Sequence, residues 1–206
     1  MEAKDKKEKR GRIIEAAATV LAEKGYARTS MSDIARAAGI AKGTTYEYFE
    51  SKEALFFAVF EWFAAQIENI VYTKLSADDS ASCTEKIRLL SDSVLESLQE
   101  MEQVYPLTLE FWSASASSVN RDKIKPAFRD MYRQFSTLVG DIIKQGMETG
   151  EFEPGIDPYA CASALVGAWD CMGLQAWFDE DFDMEKTVNA FTALVTRGLT
   201  GGQEEK

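Results

Sequence analysis

The stretch AGIAKGTTYEYFESK, residues 38–52, decides the fold because it contains a turn, a short helix and the start of a longer helix. Just before it, Ser30 is followed three residues later by Asp33, a capping-box pattern that predicts the start of a short helix. Gly39 is expected to end that helix, and residues 42–49 are expected to form a second one. Two short helices joined by a turn that begins at glycine are typical of a helix-turn-helix.

The second helix of such a unit enters the major groove of DNA with its N-terminal side chains toward the bases. Thr44 and Thr45 are suited to this because a threonine hydroxyl bonds base edges and its methyl group contacts thymine. Gly43 allows the backbone to approach a phosphate closely. A phosphate-binding P-loop is excluded because its lysine follows the second glycine, whereas Lys42 precedes Gly43.

The other interpretation of this stretch is a polar surface helix whose Tyr46 and Phe49 pack inward. Residue chemistry alone favours the helix-turn-helix over it but leaves both open.

The rest of the chain also predicts helices, without repeats or strand-like alternation. A first helix is expected over about residues 6–24, with Gly25 as its C-terminal cap, and a fourth helix begins near Ser51. The remaining helices are expected at roughly 83–103, 105–118, 124–149, 158–178 and 184–200, with all four prolines at helix boundaries. The predicted fold class is therefore all-α, with about nine helices.

The charge of the chain is divided unevenly. The net charge is −11, yet residues 1–52 hold 11 Lys and Arg against 8 Asp and Glu, and the remainder is strongly acidic. A basic N-terminal module on an acidic body suggests that the basic part contacts nucleic acid or a membrane. Arg10 and Arg12 belong to a basic N-terminal tail that either reaches a minor groove or is simply solvated.

The composition argues against an enzyme. The chain has three cysteines, none of them in a CxxC pair, and no histidine. The absence of histidine removes the commonest general base and most zinc sites, so no catalytic residue, metal site or cofactor is predicted.

Two segments bear on localisation. The N-terminus MEAKDKKEKRGR is charged and is not typical of a secretory signal peptide. Residues 159–178 are apolar enough to suggest a membrane span, but Asp170 and Gln175 interrupt them, which favours a buried or interface helix. The expected location is cytoplasmic.

Residues from about 12 to 57 resemble the N-terminal domain of TetR-family transcriptional regulators. The resemblance rests on IIEAA (13–17), GY (25–26), TSMSDIA (29–35), AGIAKGTTYEYF (38–49) and SKEAL (51–55). Two positions depart from the family pattern. Ala41 stands where serine is common and lacks its capping hydroxyl, and Thr45 stands where an aliphatic residue is common.

The resemblance implies which side chains contact DNA. Thr29, Lys42, Tyr48 and Lys52 are expected at phosphates with Tyr46 near the same backbone, and Ser32, Gly43, Thr44 and Thr45 are expected to face the groove. It also implies a DNA-binding domain over residues 1–52 and a ligand-binding and dimerisation domain over residues 53–206.

The resemblance further implies dimerisation through the last two helices. The penultimate helix would offer the small residues Ala160, Ala164, Gly167, Ala168, Gly173 and Ala176, and the last helix the apolar residues Val188, Phe191, Leu194, Val195 and Leu199. Such stripes more often belong to the core of one protomer than to an interface, but the pairing of two of them at the C-terminus favours a dimer.

A ligand cavity inside the C-terminal domain is the last implied feature. Its expected lining is Phe63, Ile67, Leu95, Glu110, Phe111, Trp112, Met131, Phe135, Trp169 and Asp170, with Leu98, Leu138, Leu165 and Met172 as further candidates. Aromatic and methionine residues at helical spacing also fill ordinary cores. Glu110 and Asp170 lie in apolar surroundings and need a partner, which could be Arg129 or Arg133, a dimer contact or a cationic ligand group.

The function that the sequence predicts is a homodimeric DNA-binding repressor, released from a palindromic operator by a small lipophilic effector. Two alternatives stay open. One is an effector-independent DNA-binding factor that acts through a protein partner, and the other is a helical small-molecule carrier or enzyme.

Overall fold

The computed structural model describes residues 2–76, 80–100, 105–116 and 121–202. These residues form nine α-helices and no strand, which confirms the all-α prediction. The helices are α1 (Glu2–Arg28), α2 (Met31–Ala37), α3 (Lys42–Tyr48), α4 (Lys52–Leu75), α5 (Cys83–Glu100), α6 (Pro106–Ala116), α7 (Arg121–Thr149), α8 (Pro158–Phe178) and α9 (Met184–Leu199).

Two helices, α1 and α7, differ from the sequence-based expectation in where they begin or end. The first helix begins at Glu2 and resumes beyond Gly25, which forms a kink with φ of 74° and ψ of 160° before the chain continues to Arg28. Pro126 lies inside α7 instead of at its start. A proline in the second turn removes one backbone hydrogen bond close to the N-terminus of the helix, and the helix continues through it. The predicted ends of α5 and α6 at residues 103 and 118 lie outside the described residues.

The turn between α2 and α3 has the geometry of a helix-turn-helix. Ser30 caps α2, and the reciprocal bond from Asp33 completes the predicted capping box. Gly39 has a φ of 67°, a left-handed conformation that glycine adopts without steric cost. The Ile40 amide donates to the Ala35 carbonyl at 3.0 Å and closes the turn.

The chain divides into two compact units. The first comprises residues 1–66 and 101–127, and it holds α1, α2, α3, α6 and the first part of α4. Its interior contains an aromatic cluster in which the Phe56 ring lies 4.7 Å from Tyr26 and 4.9 Å from Phe111. Phe60 adds a third contact to Phe111, with ring centroids 5.1 Å apart. This cluster joins the end of α1 to α4 and α6.

The second unit comprises residues 67–100 and 128–206. Its core is built from α5, α7, α8 and α9 and includes the fully buried Ile87, Leu90, Ile143, Leu165 and Leu199. The Glu151 carboxylate accepts bonds from the Cys83 and Thr84 amides at 2.8 and 2.6 Å and so caps α5 from a distant part of the chain. These two units are defined by compactness, so the functional boundary predicted at residue 52 stays a prediction.

Among the described residues one helix, α4, is long and apolar enough to cross a membrane by length and composition, with a mean hydropathy of 1.4 over its most apolar window. Its Leu55, Phe56 and Val59 are buried inside the first unit. Core helices of globular proteins meet the same criteria.

Candidate nucleic-acid interface

The exposed face of α3 presents the side chains that were expected to approach DNA. Lys42 and Gly43 are exposed at its start, Tyr46 is 47% exposed, and Thr44 and Tyr48 are half-buried. Ala41 precedes the helix and makes no side-chain capping bond, as its missing hydroxyl implies. This face therefore combines a cation, an open backbone and hydroxyl groups, which is the chemistry that phosphates and base edges require.

Thr45 does not lie on that face. Its exposed fraction is 0%, and its hydroxyl has no hydrogen-bond partner among the described residues. Successive residues of a helix are turned by about 100°, so Thr45 points into the first unit while Thr44 beside it stays partly accessible. The position of Thr45 therefore does not support the expectation that it faces the groove. The sequence pattern already held the signal, since an aliphatic residue is common at this position in the family.

Thr29 and Ser32 lie on either side of the α2 cap. Thr29 is 3% exposed, and its hydroxyl donates to the Gly25 carbonyl at 2.9 Å, so the hydroxyl is engaged inside the protein. Ser32, in the first turn of α2, is half-buried and keeps part of its surface accessible.

Lys52 is also engaged within the first unit. Its ammonium group donates to the Tyr26 carbonyl at 2.9 Å and to the Thr29 carbonyl at 3.0 Å. The same Nζ atom lies 4.2 Å from the centroid of the Tyr26 ring. The resemblance implied a phosphate contact for Lys52. The internal bonds reach residues 26 and 23 positions earlier in the chain, and no local sequence pattern signals them.

The basic N-terminal segment is helical in the structure. The Arg10 guanidinium lies over the Phe49 ring, 5.1 Å from its centroid, and Arg12 Nη2 donates to the Ala38 carbonyl at 3.5 Å. Both arginines thus contact residues of the helix-turn-helix. Lys6, Lys7 and Arg10 are exposed on this part of α1.

Electrostatics strengthen the α2 cap. The Asp33 carboxylate accepts bonds from the Ser30 hydroxyl at 2.6 Å, the Lys24 ammonium at 3.2 Å and the Ser30 amide at 3.0 Å. These bonds, led by that from the Ser30 side chain, lower the pKa of Asp33 to about 2. The carboxylate is therefore ionised near neutral pH and holds the first helix of the motif in place.

The residues predicted to line an effector cavity are distributed over both compact units. Phe63, Glu110, Phe111 and Trp112 belong to the first, and Ile67, Leu95, Met131, Phe135, Trp169 and Asp170 belong to the second. In the first unit the Phe63 and Phe111 rings are 5.9 Å apart. In the second, Phe135 and Trp169 belong to one hydrophobic cluster.

Asp170 has a partner that sequence reasoning missed. The Tyr132 hydroxyl donates to its carboxylate at 2.5 Å, whereas Arg129, one of the two arginines considered, pairs with Asp130. Desolvation raises the pKa of Asp170, and the Tyr132 bond partly opposes that rise. Trp169 beside it is buried, and its Nε1 has no partner among the described residues.

A polar groove of about 570 Å³ also lies in the second unit, between α5 and α9. Its lining includes Arg88, Asp92, Thr192, Thr196 and Arg197. None of the predicted effector residues lines it.

The predicted dimer surface is partly buried within the protomer. Val188 and Leu199 belong to the core of the second unit, as does Gly173, so these residues are not available to a partner. Leu194, in contrast, is 67% exposed on α9. Ala160, Ala164 and Gly167 form an exposed small-residue face on α8.

Comparison with known proteins identifies the same motif. Residues 13–59 match the family model of the bacterial regulatory proteins of the tetR family. The chain is similar to the fatty acid metabolism regulator protein of Bacillus subtilis, with 25% identity over 95% of this chain and 98% of that protein. It is also similar to the HTH-type transcriptional repressor KstR2 of Mycobacterium tuberculosis, with 29% identity over 72% of each chain.

A solved structure shares the fold over nearly the whole length. The transcriptional regulator FadR from Bacillus subtilis, crystallised in complex with stearoyl-CoA, superimposes with a TM-score of 0.75 at 24% identity and covers 91% of this chain and 98% of its own. Residues 13–59 therefore carry the DNA-binding motif of the tetR family of bacterial regulatory proteins, in a chain that is similar to bacterial transcriptional regulators over most of its length.

Proposed function

We propose that this protein is a homodimeric repressor that holds a palindromic operator through α3 and leaves it when a small lipophilic effector binds. The observation that supports this most is the exposed face of α3, where Lys42, Gly43 and Tyr46 are accessible to solvent. The Ser30–Asp33 capping box fixes the start of α2, which precedes it.

The DNA contacts follow from which atoms are accessible. Lys42 and Tyr46 extend to phosphates, with Tyr48 beside them. Gly43 and Thr44 approach the base edges in the major groove, and Ser32 faces the same groove from α2. Of the remaining predicted contacts, Thr29 and Thr45 are buried and Lys52 is hydrogen-bonded internally, so the proposed interface omits them.

The proposed dimer uses the exposed faces of α8 and α9. Small side chains at Ala160, Ala164 and Gly167 allow helices to approach closely, and exposed Leu194 supplies apolar surface. A two-fold dimer would present two α3 helices to half-sites separated by about 34 Å, one turn of DNA. The operator is accordingly expected to be a palindrome.

The proposed effector is lipophilic and small. The relative from Bacillus subtilis is named for fatty acid metabolism, and the similar solved structure contains stearoyl-CoA. The predicted lining is mostly aromatic and aliphatic, with Glu110 and Asp170 as its acidic members, and the Asp170 carboxylate accepts a hydrogen bond from Tyr132. An apolar ligand that carries one hydrogen-bonding group matches that composition.

Release from DNA is proposed to involve α4, because residues 52–66 of this helix belong to the first compact unit and residues 67–75 to the second. We expect α4 to have one conformation in the DNA-bound protein and another in the released protein. An effector that binds these two conformations with different affinity shifts the equilibrium between them, typically by about 1–3 kcal/mol. A change in α4 then alters the distance between the two α3 helices of the dimer. A cytoplasmic location is part of the same proposal.

The test is a mobility-shift assay with DNA that flanks the protein's own gene, at two salt concentrations. The wild type should form one discrete complex that weakens at higher salt. Lys42→Ala should weaken it, and the matched control Lys186→Ala, on exposed α9 surface, should not. Equal behaviour of both variants would count against α3 as the contact surface.

The same complex then serves to screen effectors. Acyl-CoA thioesters of different chain length, with coenzyme A alone as control, should release the DNA if the effector is lipophilic. A complex that no apolar compound releases would favour the effector-independent factor. A chain that binds lipophilic compounds but no DNA would favour the carrier.

A further inference from the structure

We propose that the polar groove between α5 and α9 is a second ligand site, which binds a small molecule that carries both a phosphate and several hydroxyl groups, such as a sugar phosphate. Arg88 and Arg197 hold the phosphate, and Asp92 and Asn189 bind the hydroxyl groups. None of the residues proposed to contact DNA or the effector lines this groove, so the site goes beyond the proposed function.

The groove is open because short side chains lie where α5 and α9 meet. Thr192 on α9 donates a 2.8 Å hydrogen bond to the Ser91 hydroxyl on α5, and both residues are buried. The Thr196 hydroxyl, which is also buried, donates to the Thr192 carbonyl at 2.9 Å. These hydroxyls are bonded inside the protein and form the floor of the groove. The longer side chains on either side of this floor are therefore the ones that can bind a ligand.

The two helices run antiparallel along the groove. The Glu151 carboxylate accepts bonds from two amides in the first turn of α5, and the Glu153 amide donates to the Leu199 carbonyl at the end of α9 at 2.7 Å. The start of α5 and the end of α9 therefore lie beside the same turn of the chain. Further along the groove, Ser91 meets Thr192.

This register separates the charged lining into a basic part and an accepting part. Arg88 lies within one turn of Arg197 along the groove, and Asp92 lies within one turn of Asn189. Asp92 follows Arg88 by four residues, which is about 6 Å along the helix. A ligand that lies along the groove therefore meets two guanidinium groups at one end and a carboxylate and an amide at the other.

The charged side chains of the groove have few ionic partners. Arg197 and Asp92 are exposed, and neither makes an ion pair with a residue that the structure describes. Arg88 lies 3.5 Å from Glu85, and both of these side chains are nearly half exposed, so water competes strongly with the pair. An anion bound between the two arginines would compensate charges that the protein itself leaves to solvent.

The residue types fit a phosphorylated sugar. A guanidinium group donates two parallel hydrogen bonds to a phosphate. A carboxylate accepts from hydroxyl groups, and an amide both donates and accepts, which suits the neighbouring hydroxyls of a sugar. The groove volume of about 570 Å³ lies within the range of about 300–1,000 Å³ that is usual for small-molecule sites. Apart from Ala193 and Gly202 the described lining is polar or charged, so a lipophilic compound fits it poorly.

The experiment measures binding to the full chain by isothermal titration calorimetry at one constant ionic strength. The probes are glucose phosphate, phosphorylated on the primary hydroxyl, and its two parts, inorganic phosphate and glucose. Glucose phosphate should bind most tightly and glucose most weakly, because only the whole molecule uses both parts of the groove. If glucose phosphate does not bind, the proposal is wrong.

Two variants assign the phosphate to the arginines. Arg197→Gln and Arg88→Gln should each lower the affinity for glucose phosphate about tenfold, because a hydrogen bond between charged groups is lost. Lys144→Gln is the matched control, since it removes the same charge from an exposed position on α7 outside the groove. Circular dichroism checks that each variant is folded. An equal loss of affinity in Lys144→Gln would indicate unspecific attraction of anions and would overturn the proposal.

A third variant tests the part of the groove that binds hydroxyls. Asp92→Ala should lower the affinity for glucose phosphate and leave or raise that for inorganic phosphate. It removes an acceptor for hydroxyl groups and, at the same time, a negative charge that repels the anion. A parallel change for both ligands would overturn the assignment of Asp92 to the hydroxyls.

The surface proposed to contact DNA also attracts phosphate, so the position of the bound ligand is measured separately. Lys42→Ala should leave the affinity for glucose phosphate unchanged, although it is expected to weaken operator binding. Hydrogen exchange of the wild type should show protection by glucose phosphate in peptides that span residues 84–92 and 189–202. Protection confined to residues 38–52 would place the ligand on the DNA-binding surface, contrary to the proposal. These measurements use no DNA, so they remain decisive if the proposed repressor function fails.

Discussion

The Tyr132 hydroxyl donates a 2.5 Å hydrogen bond to the Asp170 carboxylate, which joins α7 to α8 in the second compact unit. The carboxylate would be more strongly solvated in water, and desolvation raises its pKa in the folded protein. The protonated form of Asp170 is therefore favoured by folding relative to the unfolded chain.

The first prediction concerns the pH dependence of this pair. Folding raises the pKa of Asp170, so the stability that it contributes is present below the unfolded value of about 3.9 and is lost as pH rises through the folded pKa. Asp170→Asn, which cannot ionise, should therefore become more stable relative to the wild type as pH rises from about 4. Thermal unfolding of both proteins across this range measures the difference.

Tyr132→Phe is the control, because it removes the bond that lowers the pKa of Asp170. In that variant the decline in stability should extend to higher pH than in the wild type. A difference between Asp170→Asn and the wild type that does not change with pH would contradict the prediction.

The second prediction concerns Asp33, where the sign is opposite. Its pKa is lowered to about 2, so the stability it contributes is present above the unfolded value of about 3.9 and is lost as pH falls toward 2. Asp33→Asn should unfold at a lower temperature than the wild type near pH 7, and the gap should narrow as the solution is acidified to about pH 3. If the difference in unfolding temperature between the two proteins stays constant over this pH interval, the negative charge of Asp33 is not the source of the stabilisation.

Local signals identified much of the fold in advance. The Ser30–Asp33 pattern and Gly39 each act within one helical turn. The structure has the predicted capping box at the first and a positive φ at the second. Pro126 was misjudged because a proline near a helix start is compatible with either a boundary or an interior position.

The site was less accessible to such reasoning, because its side chains are arranged by contacts between distant residues. Thr29 and Lys52 have side chains of the kind that bind phosphates. Only the structure shows that the Thr29 hydroxyl is already bonded to the Gly25 carbonyl and the Lys52 ammonium group to the Tyr26 carbonyl. Asp170 and Tyr132 are 38 positions apart, and no periodicity within either helix relates them.

The third prediction tests the kink in α1. Gly25 has a φ of 74°, and a methyl group built on its Cα would lie 2.7 Å from Glu110 Oε1. Gly25→Ala should lower the free energy of unfolding by about 2 kcal/mol through backbone strain and this contact. Gly11, on the same helix with no atom within 4 Å of such a methyl group, is the control.

Gly11→Ala should raise the free energy of unfolding by about 0.5–1 kcal/mol, because alanine is the better helix former. Urea unfolding of both variants gives the two values. Similar effects at the two positions would show that Gly25 does not require its unusual conformation.

The fourth prediction concerns the proposed dimer. Leu194→Glu places a charge on exposed apolar surface of α9, and it should convert a dimer to a monomer because the charge would be desolvated at the interface. Sedimentation velocity measures the oligomeric state. Asn189→Glu introduces the same charge on another exposed face of α9 and should leave the dimer intact.

Operator binding should decrease with the loss of the dimer in Leu194→Glu and not in Asn189→Glu, since two α3 helices bind two half-sites together. A dimer that survives Leu194→Glu would place the interface elsewhere.

The last prediction returns to Thr45, whose hydroxyl is fully buried without a hydrogen-bond partner among the described residues. Thr45→Val has nearly the same shape and removes a buried polar group, so it should raise the free energy of unfolding by about 1 kcal/mol. Operator affinity should not change, because the side chain points into the protein. Thr44→Val, half-buried on the adjacent position, is the matched control and should weaken operator binding if its hydroxyl meets a base. If Thr45→Val were the variant that loses affinity, α3 would have to rotate on DNA so that Thr45 faces the groove.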